Sequence, residues 1–191
     1  MVLNLSSLGH KDVYLLSQLA DEVMSNEERI YMASVCCEGA NEEDILLLMN
    51  KIGTVNMERF DLRSIVFGYK THGLECLTSF VSWIERAAAE VKALHLTGTW
   101  NIHIEGCMRK GETLHQLLAP IELYICADEV DSSSDEKEYN THYYSGLFHG
   151  TRMIGDEYSN LQIMAKPALP DNQWRITLGT PSIIIEPYDV H

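Results

Sequence analysis

Basic side chains are scarce in this sequence. Fourteen lysines and arginines stand against 28 aspartates and glutamates, giving a formal net charge of −14 over 191 residues. That shortage argues against a freestanding nucleic-acid binder, whose footprint is a basic face, and no sequence-specific nucleic-acid contact is expected. Long apolar runs are missing too. No stretch approaches the ~18 apolar residues of a membrane span. The opening MVLNLSSLGHKDVYLLSQL has no basic start and no apolar run of signal length, so secretion is not expected and the Asn4-Leu5-Ser6 sequon has no role. Cys36, Cys37, Cys76, Cys107 and Cys126 are odd in number and fit no disulfide framework. They read as reduced thiols of a cytosolic or nuclear chain.

The motifs of catalysis are also missing. Neither CxxC nor HExxH occurs, and the nearest metal-like cluster is His103, Cys107 and His115. His103 and His115 read more simply as polar-face strand residues. Ser145 precedes a glycine without forming a GxSxG elbow. Cys76, about one helical turn from His72, reads as core filler. The glycines are scattered singly, so no loop is built to cradle phosphate. The carboxylates cluster at Glu42–Asp44, a helix cap, and at Asp135–Glu138, a polar loop, where water is not excluded enough to tune a pKa. No enzyme, cofactor or metal site is expected.

What the sequence does hold is an ordinary folded domain, 46% hydrophobic and 22% charged. Its charge is uneven. Residues 1–58 carry 10 acids and 3 bases, residues 59–113 carry 6 and 7, and residues 114–191 carry 12 and 4. Contact with phosphates or anionic lipid should therefore use the middle third, and Arg63, Lys70, Arg109 and Lys110 are the candidate residues. A solvated charged face is the competing reading of that group.

Hydrophobic periodicity predicts an α+β fold: an N-terminal helical segment, then one long amphipathic helix on an antiparallel sheet. Residues 1–58 read as an acidic helical lobe, and residues 59–191 as the core of the same single domain. Val13, Leu16, Leu19, Ala20 and Val23 have helical spacing. Ser25 with Glu28 has the pattern of a capping box opening a second helix to Gly39. Asn41, with three acids behind it, caps a third. Arg63–Lys70 reads as a strand, and Leu74–Leu96 as the best helix, with Trp83 on its rim. Beyond Gly98 the period becomes 2. Trp100–Ile104 and Ala119–Cys126 read as strands of a hairpin with one wet face, joined by a basic turn. Residues 128–140 read as a flexible acidic loop. HYYSGLFHGTR, residues 142–152, reads as a further strand, with Tyr144, Gly146 and Phe148 on one face. The apolar runs after it, broken by Pro167, Pro170, Pro181 and Pro187, read as edge or terminal strands.

In order of elements, residues 60–152 resemble the matrix proteins of rhabdoviruses. The likeness rests on a strand, a helix with a mid-helix Trp83, alternating strands, a polar loop and a GLFHGT segment bearing Gly146, His149, Gly150 and Thr151. The resemblance implies a self-associating virion protein, also present in the host cytoplasm, that condenses the viral nucleoprotein–RNA complex and links it to an anionic membrane surface during budding. The near-neutral middle third then supplies the expected nucleocapsid and lipid contacts, Arg63, Lys70, Arg109 and Lys110, and the alternation within residues 142–152 the expected self-association edge, Tyr144, Phe148 and His149. The chain departs from animal-virus members in its acidic N-terminal third and its lack of PPxY, although Tyr144–Leu147 and Tyr158–Leu161 match YxxL.

Two other readings stay open. An acidic immunity or inhibitor protein would gain on-rate against a basic target. A small hydrolase would be built around Tyr144, Ser145 and His149.

Overall fold

Two registers explain the architecture. Tyr31, Ile104, Leu178, Ile163 and Thr141 lie side by side across five strands, and the next row is Met32, His103, Gly179, Gln162 and His142. Successive residues of a strand face opposite sides, so the first row lines an apolar face and the second a polar one. A computed structural model describes residues 10–25, 29–38, 41–52, 56–59, 64–73, 76–109, 113–135, 138–168 and 173–183 of the protein.

The chain runs α1 (His10–Val23), β1 (Ile30–Glu38), α2 (Glu42–Ile52), β2 (Asn56–Arg59), β3 (Ser64–His72), α3 (Leu77–Ala93), β4 (Thr97–Cys107), α4 (Leu114–Ile125), β5 (Asp128–Ser134), β6 (Tyr139–Tyr144), β7 (Arg152–Ile154), β8 (Glu157–Ser159), β9 (Leu161–Ala168) and β10 (Gln173–Thr180). Eight strands form one antiparallel sheet in the order β2-β3-β1-β4-β10-β9-β6-β5, and β7 and β8 form a separate hairpin. This is the α+β class expected, with helices packed on an antiparallel sheet.

The apolar stripe of α3 behaves as its spacing requires. Phe80, Val81, Ile84, Ala87 and Val91 are buried. Trp83 is not on the rim: it is fully buried and meets Trp100. Phe80 packs on Tyr31 of β1 with ring centroids 5.6 Å apart. Helix α1 lies on β4 and β10, α4 lies beside α1, and α2 packs on α3. As expected from the sequence, Asn41 Oδ1 accepts the Asp44 backbone N–H at 2.8 Å at the start of α2.

Four expectations are corrected. The helix expected over Ser25–Gly39 is instead β1, paired on both sides by β3 and β4 over nine residues. Tyr31, Ala33 and Val35 alternate into the core, and tertiary pairing overrides local propensity. The N-terminal third therefore supplies a central strand and is not a helical lobe. The strand expected over Ala119–Cys126 is α4. Leu118, Ile121 and Ile125 are buried at helical spacing, and Thr113 and Gln116 form a reciprocal capping box. The loop expected over 128–140 contains β5, and most of it pairs with β6 as an edge hairpin. An edge strand needs no buried side chains, which is why so polar a segment can be regular. Finally, β9 and β10 are interior strands, with Pro167 paired opposite Trp174.

After β10 the chain folds back over the polar face. Ser182 Oγ donates to Asn101 Oδ1 at 3.1 Å, and the Ile183 N–H donates to Gln162 Oε1 at 2.8 Å. Gly179 lies directly under this strap, because a Cβ there would stand 2.4 Å from Ile183 Cγ1. The expected wet face is thus covered at its centre, and Asn101, His103 and Gln162 are buried.

Candidate interaction surfaces

Residues 142–152 do not form one strand. β6 stops at Tyr144, a turn follows at Gly146-Leu147, and regular pairing resumes at Arg152. Asn160 holds this loop. Its side-chain oxygen accepts the Ser145 N–H at 2.9 Å, and its Nδ2 donates to the Ser145 carbonyl at 2.7 Å and the Phe148 carbonyl at 3.4 Å. Ser145 Oγ donates to the Ile125 carbonyl at 2.6 Å at the end of α4 and is buried. Its hydroxyl therefore ties the loop to a helix and is not presented as a nucleophile.

His149 meets Asp12 on the first turn of α1. The carboxylate Oδ1 lies 2.9 Å from Nδ1 and accepts the His149 backbone N–H at 3.3 Å. Asp12 is buried and its Oδ2 has no hydrogen-bond partner. Burial pushes its carboxyl above the usual range, and the His149 hydrogen bond and charge offset part of that rise. Nothing in the sequence reading marked Asp12, although it precedes Leu16 and Ala20 at four-residue intervals and so lies on the apolar stripe of α1. Next door, the Tyr143 hydroxyl donates to Glu122 Oε1 at 3.1 Å and lies 3.2 Å from the Tyr139 hydroxyl. Burial first, then these neighbours, keep that phenol protonated.

The structure divides the three residues assigned to self-association. Tyr144 is exposed, Phe148 is a core side chain and His149 is held by Asp12. Of the basic quartet, Arg63 and Lys110 lie outside the described residues. Lys70 pairs with Met32, whose other neighbour is His103. Arg109 lies six residues beyond His103, roughly 20 Å further along the strand direction, and donates to the Asp21 carbonyl of α1. The two described members therefore do not make one patch. His103, Cys107 and His115 are not brought together either, and among the described residues no cluster of His, Cys, Asp or Glu could hold a metal ion.

Two surfaces stand out instead. On the helical layer, Tyr124 of α4 donates to Gln18 Oε1 of α1 at 3.4 Å, and Tyr14 lies one turn before Gln18. Tyr14, Tyr124 and the adjacent Leu123 are 47%, 51% and 82% exposed. At the sheet's end, β5 pairs with β6 alone among the described strands and carries Asp128, Glu129 and Asp131, all exposed. No protein-family model matches the chain, and comparison with curated proteins returns no match.

Proposed function

We propose that this protein is a self-associating structural protein of the matrix type that its sequence resembles, building a layer between a nucleoprotein–RNA complex and a membrane surface. The observation that supports self-association is the exposed apolar group Tyr14, Leu123 and Tyr124, on two helices joined through Gln18. Helices of a monomer turn their apolar residues inward, and large apolar side chains left together on the surface mark contact with another protein. Aromatic residues are favoured at the centres of such contacts. A second copy is the occupant, and the links to nucleoprotein and membrane rest on the resemblance.

The test is light scattering on the purified chain against concentration and salt. An acidic protein that associates through an apolar patch should oligomerise more as salt screens its repulsion. An acidic inhibitor bound to a basic target should instead lose affinity with salt. Leu123→Asp should abolish oligomers while leaving the melting temperature unchanged. A wild-type chain that stays monomeric at every salt and concentration overturns the reading.

A further inference from the structure

The second surface, β5, is the end strand of the sheet, and among the described strands none hydrogen-bonds to its side away from β6, although β8 lies near it. It lacks the commonest blocks of a sheet edge, since Asp128–Ser134 contains neither proline nor lysine. Its backbone donors and acceptors on that side can accept another strand. What guards it is charge. Asp128 and Asp131 pair with Tyr144 and His142 and share the polar face, whereas Glu129 pairs with Tyr143 on the other face. The register shift between Glu129 and Asp131 marks a bulge, which turns Asp131 to the face of Asp128 and away from that of Glu129. Among the described residues, no ion pair engages these three acids, while Glu138, before β6, is matched by Lys166 at 3.5 Å.

His142 adds an independent observation. This side chain is nine-tenths buried, lies beside Asp131 on the polar face, and has an Nδ1 without a hydrogen-bond partner. A carboxylate next to an imidazole acceptor matches the forked donors of a guanidinium.

We infer that β5 is a docking edge for an extended, arginine-rich segment of another protein, which adds as a ninth strand beside it. The arginine opposite Asp131 bridges that carboxylate and His142, and a basic residue on the opposite face meets Glu129. A second copy of β5 does not fit, because antiparallel pairing through the acidic half sets carboxylate against carboxylate. The three consecutive serines, Ser132–Ser134, leave the other half free of bulky side chains. This docking is independent of the helical patch, so the sheet edge and the helical layer can be occupied at once.

The experiment uses the full chain and a fluorescent seven-residue peptide of paired arginines separated by single valines, so that both faces of the added strand carry guanidinium groups, read by anisotropy. Three comparisons accompany it: the same peptide with alternate backbone amides N-methylated, a glutamate–valine peptide, and the Glu129→Gln, Asp131→Asn chain. The arginine peptide should bind and weaken with salt, and hydrogen exchange should slow at β5 amides. N-methylation and the double substitution should each cost roughly tenfold or more, because strand addition needs both the backbone ladder and the charges. Equal binding of the N-methylated peptide, which leaves only charge attraction, overturns the inference. So does equal binding to the double variant, or absence of binding altogether.

Discussion

Trp83 of α3 meets Trp100 of β4 edge to face, with ring centroids 6.3 Å apart and ring planes at 76°. Both indoles are buried, so this contact joins the helical layer to the middle of the sheet. Replacing either tryptophan with alanine should cost about 3–5 kcal/mol in urea denaturation. The double variant should cost less than the sum, by about 0.5–1.5 kcal/mol, as the pair's own interaction is lost only once. Strict additivity would show that each ring contributes through its burial alone.

Phe148 and Tyr144 should behave oppositely. Phe148 belongs to the core cluster, and its carbonyl is held by Asn160. Phe148→Ala should lower unfolding free energy by about 3–5 kcal/mol. Tyr144 is exposed on the last residue of β6, and Tyr144→Ala should change stability by about 0.5 kcal/mol or less. Thermal denaturation of the two variants decides this. A Phe148→Ala protein as stable as wild type would place the side chain at the surface.

How much of this was legible depended on whether the local pattern agreed with tertiary pairing. α3 was legible because its stripe, its length and its burial agree. β1 was not, because Ala33 and its flanking residues carry no strong strand signal, and its place is fixed by neighbours supplied from residues 64–72 and 97–107. α4 was misread because Ile121, Leu123 and Ile125 alternate like a strand. The Thr113–Gln116 cap was present in the sequence and points to the helix. The loop at 145–149 could not be read, since its order comes from Asn160 and Asp12, far along the chain. The two surfaces were hidden for a related reason: Tyr14 and Tyr124 become neighbours only when α1 and α4 pack.

Gly179 tests the strap. A methyl at this position meets Ile183 Cγ1 at 2.4 Å and the Ile183 backbone nitrogen at 3.2 Å. Gly179→Ala should displace the segment after β10, lose the hydrogen bonds to Gln162 and Asn101, and cost about 1–3 kcal/mol. Hydrogen exchange at the Ile183 amide should speed up well beyond the change seen at α3 amides. Unchanged protection at Ile183 would mean that the strap shifts without releasing its contacts.

Asp12 and His142 should give stability opposite pH dependences. Burial raises the Asp12 carboxyl above its ordinary 3.8, so the folded chain holds that proton more tightly than the unfolded chain. Its contribution is complete below 3.8 and is lost as pH rises through the folded value. Burial lowers His142 below its ordinary 6.5, with nearby Arg152 acting in the same sense and Asp131 opposing it. Its contribution is complete above 6.5 and is lost as pH falls through the folded value. Single variants separate the two effects. Relative to Asp12→Asn, wild type should gain stability as pH falls toward 3.8, because the variant has no carboxyl to protonate in the buried site. Relative to His142→Gln, wild type should lose stability as pH falls below 6.5, because only wild type must place a charge beside Arg152 in a buried strand. Urea denaturation at intervals between these two values checks both. If the difference between wild type and Asp12→Asn were flat across that range, the His149 contact would fully offset burial; the exposure of His149 and the orphaned Oδ2 of Asp12 argue that it does not.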